Sequence, residues 1–470
     1  MMRIAIIGGG ISGLAAARDL EEQRRSGALE YALYESSSRF GGVIQTEQID
    51  GCVVEAGPDS FLSEKSRAAD LCRALDLGDQ LIGSNDAERK TYILVRGRLV
   101  EIPDGLSFMV PTKILPAVFS PFFSWRTKVR MVRELFFAPR AMNEDESVAS
   151  LVRRHYGAEM VDRLADPLLS GIYGADAANL SVRAVLPRFA EMEHDCGSLS
   201  RGMLATKKTR TSTEKHAPIF TALKNGMQQL VDVLVTRLHA PSLRKNCAVD
   251  RLRMEAGQWI VSSGSEARRF DAIIVALPAR AAAGILKTCS PELAAELASI
   301  SYSSSITVAL GYGLEVRRRL PPGFGFLVPR SEGRQLLATT FVHNKFPHRA
   351  PDDRALLRCF LAGAKAANLW QLSDDAVIAL VRNDLLQIFG LRTEPTFARV
   401  YWWKNAMAQY EVGHLERLER IERLRQNLPG LALAGNGYRG IGIPDCIGSG
   451  QEAAKEVLRF GVSSGVKENA

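Results

Sequence analysis

The chain has 470 residues, a length that predicts two or three domains rather than a single core. Its 46% hydrophobic and 24% charged content is typical of a soluble globular protein. The seven cysteines are scattered without a Cys-x-x-Cys pair, which argues against a disulfide framework or a structural zinc site and indicates reduced thiols in the cytoplasm. No uncharged apolar run is long enough to span a bilayer, and no signal peptide fits before the first predicted strand.

The net charge of +8 is a modest excess of basic residues. These residues form no stripe interleaved with aromatic side chains, so no nucleic acid is expected as a partner. Two interpretations stay open. The excess is either an ordinary solvated surface or a feature that attracts an anionic ligand or an anionic membrane.

The first 35 residues carry a glycine pattern between two apolar runs. Residues 3–7 are largely apolar and precede Gly8, Gly10 and Gly13, and the second run, residues 31–34, ends at Glu35. This order predicts a strand, a tight turn, a helix that begins near Ile11, a second strand and a carboxylate. It is the G-x-G-x-x-G fingerprint of dinucleotide binding in its expected context. A simple glycine turn is the alternative, and the surrounding elements argue against it.

Each residue of this fingerprint has a physical role. Gly8 makes the tight turn, Gly10 lets the backbone approach a pyrophosphate, and Gly13 allows the helix to pack closely on the strand. The helix directs its first N–H groups at the phosphates. Glu35, 22 residues beyond Gly13, is placed to accept hydrogen bonds from a ribose.

Residues 106–140 combine apolar and basic side chains, interrupted by prolines. One interpretation is a surface that rests on a membrane without crossing it. The other is a buried helical subdomain. The apolar members are Met109, Val110, Ile114, Leu115, Val118, Phe119, Phe122, Phe123, Trp125, Leu135, Phe136 and Phe137. The prolines and basic members are Pro111, Pro116, Pro121, Lys113, Arg126, Lys128, Arg130 and Arg133.

The rest of the chain alternates between helical and strand patterns. Helices are predicted over residues 147–156 and 160–169, and an exposed loop over 204–216. The predicted strands are residues 247–252, 259–263, 270–278 and 431–435. Residues 300–400 have a mainly strand-like pattern, and a helix is predicted over 449–460.

Several short sequence motifs resemble those of a known family. Residues 35–42 and 55–58 resemble the flavin-containing amine oxidase superfamily, in which an arginine and a double glycine (here Arg39 and Gly41-Gly42) follow the ribose-binding acid. Within it, further phrases resemble the protoporphyrinogen oxidase family over nearly the whole chain. They are GPDSF at 57–61, LSGIYG at 169–174, LSVR at 180–183, GFGFLVP at 323–329, QYEVGH at 409–414 and AGNGYRGIGIPDCI at 434–447. One departure is Ala408, where the family usually has proline.

The resemblance implies an α/β fold class with three parts. A discontinuous, Rossmann-like FAD-binding domain comprises residues 1–86, 222–290 and 425–466. Residues 94–205 form a mostly helical, membrane-associating subdomain, and residues 300–412 form an α+β substrate-binding domain.

The resemblance also implies FAD as the cofactor, held by residues from several parts of the chain. For Val249 and Ile443, packing in the core is the alternative interpretation. The implied FAD contacts are Gly8, Gly9, Gly10, Ile11, Ser12, Gly13, Glu35, Ser36, Gly42, Val43, Gly57, Pro58, Asp59, Ser60, Val249, Trp403, Ile441, Gly442 and Ile443.

The implied activity is oxidation of a porphyrinogen by dioxygen in haem biosynthesis. The substrate is protoporphyrinogen IX or coproporphyrinogen III, and the residues leave that choice open. The implied substrate contacts are Ile172, Gly325, Leu327, Thr340, Phe360 and Arg98. Phe360 is the candidate to stack on a pyrrole ring, with a place in a core strand as its alternative, and Lys65 and Arg96 are further candidates for the propionates. Peripheral contact with the inner face of the cell membrane and a homodimer are also expected.

Three other functions compete with this one. An amine or polyamine oxidase usually has an acidic residue soon after the C-terminal Ala-Gly, where this chain has Asn436 after Ala434 and Gly435. A carotenoid desaturase-like enzyme and a catalytically silent flavoprotein that binds a partner are the others. No nucleophile triad is predicted, and the seven histidines show no metal-ligand spacing, so the catalytic residues are unknown and no metal is expected.

Overall fold

The computed structural model describes residues 1–103, 105–113, 119–120, 122–140, 144–209, 218–362 and 368–467. The strands are β1 (Met2–Ile7), β2 (Leu29–Tyr34), β3 (Thr46–Ile49), β4 (Cys52–Glu55), β5 (Phe61–Leu62), β6 (Leu81–Gly83), β7 (Thr91–Val95), β8 (Arg98–Glu101), β9 (Leu106–Ser107), β10 (Val110–Pro111), β11 (Phe220–Leu223), β12 (Leu243–Arg244), β13 (Arg251–Glu255), β14 (Gln258–Ser263), β15 (Glu266–Phe270), β16 (Ala272–Val275), β17 (Tyr302–Gly313), β18 (Gly325–Leu327), β19 (Ala338–Phe341), β20 (Arg354–Ala362), β21 (Phe397–Ala408) and β22 (Leu431–Leu433).

Helices connect and cover these strands. They are α1 (Ile11–Arg25), α2 (Arg67–Ala74), α3 (Trp125–Glu134), α4 (Val148–His155), α5 (Ala158–Met160), α6 (Asp166–Tyr173), α7 (Val182–Val185), α8 (Pro187–Cys196), α9 (Leu199–Thr209), α10 (Gln228–Arg237), α11 (Ala279–Leu286), α12 (Pro291–Ala298), α13 (Leu314–Arg319), α14 (Val342–Lys345), α15 (Asp374–Phe389), α16 (His414–Arg425) and α17 (Ile443–Lys467). A π-helical segment, Val161–Ala165, leads into α6.

A five-stranded parallel sheet holds the first glycine turn, in the strand order β12-β2-β1-β16-β22. The apolar residues of its central strands, at 4–7, 31–34 and 272–275, are buried because helices or strands cover both faces. Ile4 and Ile6 of β1 pack against α1, α10 and α17, whereas Ala5 and Ile7 pack toward β13–β15, α11 and α12. The α/β fold class is confirmed.

The second large sheet has seven strands in the order β21-β17-β20-β19-β18-β7-β8. Neighbouring strands in it are antiparallel except for β18 and β7, which run parallel. One face packs on α15 through Val377, Val381 and Leu385. The other face is covered in part by β4, through Cys52 and Val54 against Ala309 and Leu356, and in part lines the site described below.

The segment 106–140 divides between core and surface. Phe122 and Phe123 are 1% and 3% exposed in the helical core, so a membrane surface is the wrong interpretation for these two side chains. Trp125, in contrast, is 69% exposed. Residues 114–118 and 121 of this segment lie outside the described residues.

Most local predictions agree with the structure, and the errors are at element boundaries. The predicted strand 247–252 begins only at Arg251, because the N–H groups of Asn246 and Cys247 instead donate to the carbonyls of Ser37 and Glu35, just after β2. The predicted strand 270–278 divides into the end of β15 and β16. The predicted helix 449–460 begins earlier, at Ile443. Residues 204–209 are helical rather than a loop, and residues 210–216 are not among those described.

Where the structure describes the chain, no helix combines the length and apolar character needed to cross a membrane.

Candidate functional site

The glycine turn between β1 and α1 has the geometry that dinucleotide binding requires. Gly8 has a φ of +109°, which side chains rarely adopt. A Cβ on Gly13 would lie 1.9 Å from the Gly8 carbonyl oxygen, so the helix packs on the turn only with glycine there. A Cβ on Gly10, in contrast, would have no described atom within 4 Å, and Gly10 is the N-cap of α1. The turn therefore presents an open position at the N-terminus of the helix, as a pyrophosphate needs.

Glu35 is fixed beside this turn by two backbone donors. Its Oε2 accepts from the N–H of Gly9 at 2.8 Å, and its Oε1 accepts from the N–H of Ser37 at 2.8 Å. Oε1 also accepts from the Ser36 hydroxyl at 3.3 Å, so the second acceptor position of Oε2 is the one that no described group occupies. Glu35 is half-buried and Ser36 is exposed, so both side chains remain accessible to a ribose.

The double glycine loop lies directly against the turn. The N–H of Gly41 donates to the Gly9 carbonyl at 2.8 Å, and a Cβ on Gly42 would lie 3.3 Å from the Cα of Gly10. Val43 follows and is 41% exposed. A Cβ on Gly57 would lie 1.7 Å from the Val43 carbonyl oxygen, so two predicted contact segments, 42–43 and 57–60, are brought together.

The remaining predicted FAD contacts approach from the C-terminal half. Val249 is half-buried and follows the residues that are bonded to the carbonyls just after β2. Ile441 and Gly442 are half-buried and Ile443, buried, opens α17. That helix packs closely on α1, because a Cβ on Gly450 would lie 2.0 Å from the Ser12 carbonyl oxygen.

These observations test whether the residues present fit FAD. The open position at Gly10, the amides that begin α1 and the oriented carboxylate of Glu35 fit the pyrophosphate and ribose of a dinucleotide.

Lys65, one of the candidates for binding the substrate propionates, already has an ion-pair partner. Its ammonium lies 2.7 Å from the carboxylate of Asp445. That carboxylate also accepts from the N–H of Gly442 at 3.2 Å.

The register of the seven-stranded sheet places four of the predicted substrate residues on one face. Residues that pair across an antiparallel ladder point to the same side, as do residues two apart in one strand. One row across the sheet is Gly325, Thr340, Arg358 and Ala309. The next row is Leu327, Ala338, Phe360, Thr307 and Tyr401. Trp403, opposite Ser305, shares this face, which we call the open face.

The opposite face of the same strands forms the core. Cys359 and Leu361, the neighbours of Phe360, are 0% and 1% exposed and pack toward α15, whereas Phe360 is only half-buried. Helix α6 lies over the open face, since a Cβ on Gly171 would lie 3.9 Å from Leu327. Ile172, next in that helix, is 45% exposed. The open face and α6 therefore bring the predicted apolar contacts together.

Arg96 and Arg98 lie apart from the apolar rows, at the hairpin between β7 and β8. Both are exposed. The N–H groups of Arg96 and Gly97 donate to the carboxylate of Glu332 at 2.6 and 2.9 Å, which fixes the hairpin against the turn after β18.

A buried group of charges lies where β4 and the loop after it meet α14 and β20, and we call it the loop cluster: Glu55, Asp59, Lys345, Arg349 and Arg358. Lys345 lies 3.1 Å from Asp59, Arg349 lies 2.8 Å from Glu55, and Arg358 lies 3.9 Å from Asp59. Burial raises the pKa of Asp59, but Lys345, Arg358 and Arg349 hold it well below its usual range. Burial lowers the pKa of Lys345 against the attraction of Asp59.

The sequence analysis missed all of the loop cluster except Asp59. Glu55 belongs to the motif at residues 55–58 but was assigned no role, and Lys345 and Arg349 lie in a region with no recognised motif. Arg358 carries a signal that could have been used, because a guanidinium in the apolar run Leu356 to Leu361 needs a buried partner. Across the part of the chain that the structure describes, no group of three potential ligands could hold a metal ion.

Comparison with known proteins agrees with this geometry. Coproporphyrinogen III oxidase of Bacillus subtilis (strain 168) is 35% identical over 467 residues, covering 97% of this chain and 98% of that protein. Protoporphyrinogen oxidase 2 of Arabidopsis thaliana (chloroplastic/mitochondrial) is 27% identical, covering 97% and 94%. A solved structure of an Exiguobacterium sp. 255-15 protein, provisionally named protoporphyrinogen oxidase, has a TM-score of 0.86 at 29% identity, covering 97% and 99%.

These relatives confirm the resemblance stated from the sequence. A family model described as flavin containing amine oxidoreductase matches residues 11–458. That match confirms the expectation of a flavin cofactor and of an oxidoreductase. The chain belongs to the flavin-containing amine oxidoreductase family.

Proposed function

We propose that this chain is an FAD-dependent oxidase that converts coproporphyrinogen III or protoporphyrinogen IX to the porphyrin in haem biosynthesis. The overall reaction consumes three dioxygen and yields three hydrogen peroxide, in three two-electron rounds. The observation that carries the proposal is the similarity over 97% of the chain to proteins named as porphyrinogen oxidases. The chemistry that bound FAD supplies is hydride acceptance and reoxidation by dioxygen.

The residues of the chain bind and orient the two ligands in this proposal. The turn at residues 8–13, Glu35 and the 42–43 and 57–60 loops hold FAD. Leu327, Phe360 and Ile172 provide an apolar surface for the macrocycle, as large apolar ligands require. Gly325 has a φ of +141°, and a Cβ there would lie 1.9 Å from the Thr339 carbonyl oxygen, so this strand needs glycine.

Coproporphyrinogen III is the substrate we favour of the two. The relatives named as coproporphyrinogen III oxidases are up to 35% identical, against 27–29% for those named as protoporphyrinogen oxidases. Four propionates rather than two also suit a chain with a net charge of +8. Arg98, exposed at the hairpin tip, is our candidate for a propionate contact.

A rate comparison with the two porphyrinogens, followed by porphyrin fluorescence, tests this function. Purified protein with added FAD should oxidise coproporphyrinogen III faster than protoporphyrinogen IX. Arg98→Ala should raise KM for the former, and Arg73→Ala, at an exposed arginine paired with Asp70, is the matched control. Absence of porphyrin formation from either compound contradicts the proposal, and oxidation of putrescine instead supports the amine oxidase alternative.

We further propose that α3 rests on an anionic membrane surface. Trp125, Val129 and Val132 recur at helical spacing and are 69%, 48% and 42% exposed, while Thr127 and Met131 on the other side are buried. Phe136, just beyond the helix, is 80% exposed. Basic residues interleave with this stripe, namely Arg126, Lys128, Arg130 and Arg133. Exposed apolar and basic residues together favour an anionic interface.

Co-sedimentation with vesicles tests the membrane contact. Binding should be stronger to anionic than to neutral vesicles and should fall as salt increases. The double variant Trp125→Ser/Phe136→Ser should lose binding and keep its fold, because both side chains are exposed. Val462→Ser, at an apolar side chain 72% exposed elsewhere, is the control. Equal pelleting of wild type and double variant contradicts this surface.

The domain division stays part of the proposal: 1–86, 222–290 and 425–466 for FAD, 94–205 for the membrane and 300–412 for the substrate. Separate hydrophobic clusters around α1, around α4 and around α15 support it. A cytoplasmic location, peripheral on the inner face of the membrane, is proposed from the unpaired cysteines and the α3 stripe. The homodimer is a prediction that light scattering can check.

A further inference from the structure

Three side chains, from β20, β21 and α14, hold the loop that contains the predicted FAD contacts 57–60. The indole N–H of Trp403 donates to the Ala56 carbonyl at 2.8 Å, and Arg358 donates to the Gly57 carbonyl. Lys345, at the end of α14, lies 3.1 Å from Asp59 and donates to Ser60 at 3.3 Å. The position of this loop is thus set by the loop cluster as well as by its own chain neighbours.

The loop cluster carries more positive than negative charge. Its cations Lys345, Arg349 and Arg358 have side chains 11%, 0% and 8% exposed, against two carboxylates, Glu55 and Asp59, at 2% and 16%. Their ion pairs within 4 Å, among the residues described, are with these two carboxylates alone. A charge in such a site is weakly screened by salt and acts over several ångströms.

Some of the guanidinium donors of these cations have no hydrogen-bond acceptor. In the described portion of the chain, Nε and Nη1 of Arg349 and Nε of Arg358 have no hydrogen-bond acceptor. A small cavity of about 10 Å³ adjoins them, lined by Val53, Ala309 and Leu356 together with Glu55 and Asp59 of the loop cluster. The apolar members of the lining add no acceptor, so among the described residues these two carboxylates are the only negative charges that line the cavity.

We propose that the loop cluster tunes the flavin, raising its reduction potential through the net positive charge held behind residues 57–60, with Lys345 as the principal positioning residue. The inference rests on the proposed function, which places FAD against this loop. Reduction adds electron density to the flavin, and a nearby positive charge favours the more electron-rich state. The electrons come from the porphyrinogen of the proposed reaction. Arg358 also contacts the ring of Phe360, with its guanidinium carbon 4.7 Å from the ring centroid, and so joins this loop to the open face.

The test is the reduction potential of bound flavin, measured by equilibration with a reference dye after FAD is added to the full chain. Lys345→Met should shift the potential to more negative values and Asp59→Asn to more positive ones. Each shift should be at least tenfold in the equilibrium constant of reduction, about 30 mV for a two-electron couple. Lys345→Arg should keep the wild-type potential. Lys90→Met, at an exposed lysine paired with Glu101, controls for loss of charge elsewhere.

Shifts in reduction potential of opposite sign in Lys345→Met and Asp59→Asn support the proposal, because a merely structural disturbance would shift the potential of both variants in the same direction. Equal potentials in all variants, or shifts of the same sign, overturn it. If Lys345→Met does not fold, the nearly isosteric Asp59→Asn decides alone, since a zero or negative shift contradicts the proposal. The measurement needs no substrate, so a protein that binds flavin but leaves porphyrinogens unchanged would contradict the proposed function and still test the cluster.

Discussion

Substitution of single glycines in the first turn separates cofactor binding from folding. Gly10 has a φ of −71° and a ψ of 178°, which any residue adopts, and an alanine Cβ there meets no described atom within 4 Å. Gly10→Ala should therefore change the free energy of unfolding by no more than about 1 kcal/mol, the size of an N-cap effect. At Gly13 the added Cβ would lie 1.9 Å from a backbone oxygen. Gly13→Ala should cost about 1–3 kcal/mol, as overpacking does.

For flavin binding, in contrast, Gly10→Ala should have a large effect although it leaves the fold nearly unchanged. In Gly10→Ala the methyl group occupies the space through which the pyrophosphate approaches the backbone, and loss of one hydrogen bond to a charged group costs about 1.5–3 kcal/mol. That is about 10- to 150-fold in the Kd for FAD. Fluorescence titration of apoprotein measures the affinity, and thermal unfolding measures the fold. A Gly10→Ala protein with wild-type affinity, or one that unfolds, would refute the assignment of this turn.

Three further substitutions follow from the same site and from the helical core. Glu35→Ala should weaken FAD binding by about 1–3 kcal/mol, the cost of unpaired polar partners, as seen by flavin titration. Phe360→Ala should raise KM for the porphyrinogen by the loss of about 1.5–3 kcal/mol of apolar contact while FAD content stays normal. His155, fully buried, lies 3.0 Å from Glu134 and 3.1 Å from Glu193, so His155→Gln should cost about 3–5 kcal/mol in denaturant unfolding.

The pH dependence of that last effect has a definite sign. Burial lowers the pKa of His155, but the hydrogen bonds that its ring donates to Glu134 and Glu193 raise the pKa above its ordinary value of 6.5. Its stabilising charge is therefore fully present below pH 6.5 and is lost as the pH rises through the raised pKa. The difference in unfolding free energy between wild type and His155→Gln should shrink toward alkaline pH, and a difference that grows there would contradict the pairing.

The nucleotide-binding part could be predicted because its signals are local. β1, the start of α1 and β2 follow from one continuous stretch with strict apolar runs and glycines at fixed spacing. Substrate residues such as Phe360 came from the resemblance alone, and only the strand register shows that they share a face.

The loop cluster could not be predicted because its members are far apart in the sequence. Glu55 and Arg349 meet only when β4 lies against the segment after α14, and no spacing rule connects them. Phe122 and Trp125 show a related difficulty at short range. Both are aromatic and three residues apart, yet one side chain lies in the core and the other points outward, because helix α3 begins between them.

The stoichiometry of oxygen use measures the proposed oxidase activity most directly. FAD-loaded protein is mixed with a limiting amount of coproporphyrinogen III, and dioxygen consumption, hydrogen peroxide and porphyrin are measured together, with a protein-free sample to subtract autoxidation. We expect three dioxygen consumed and three peroxide formed per porphyrin. Porphyrin formation at no more than the protein-free rate, or without peroxide, would contradict it.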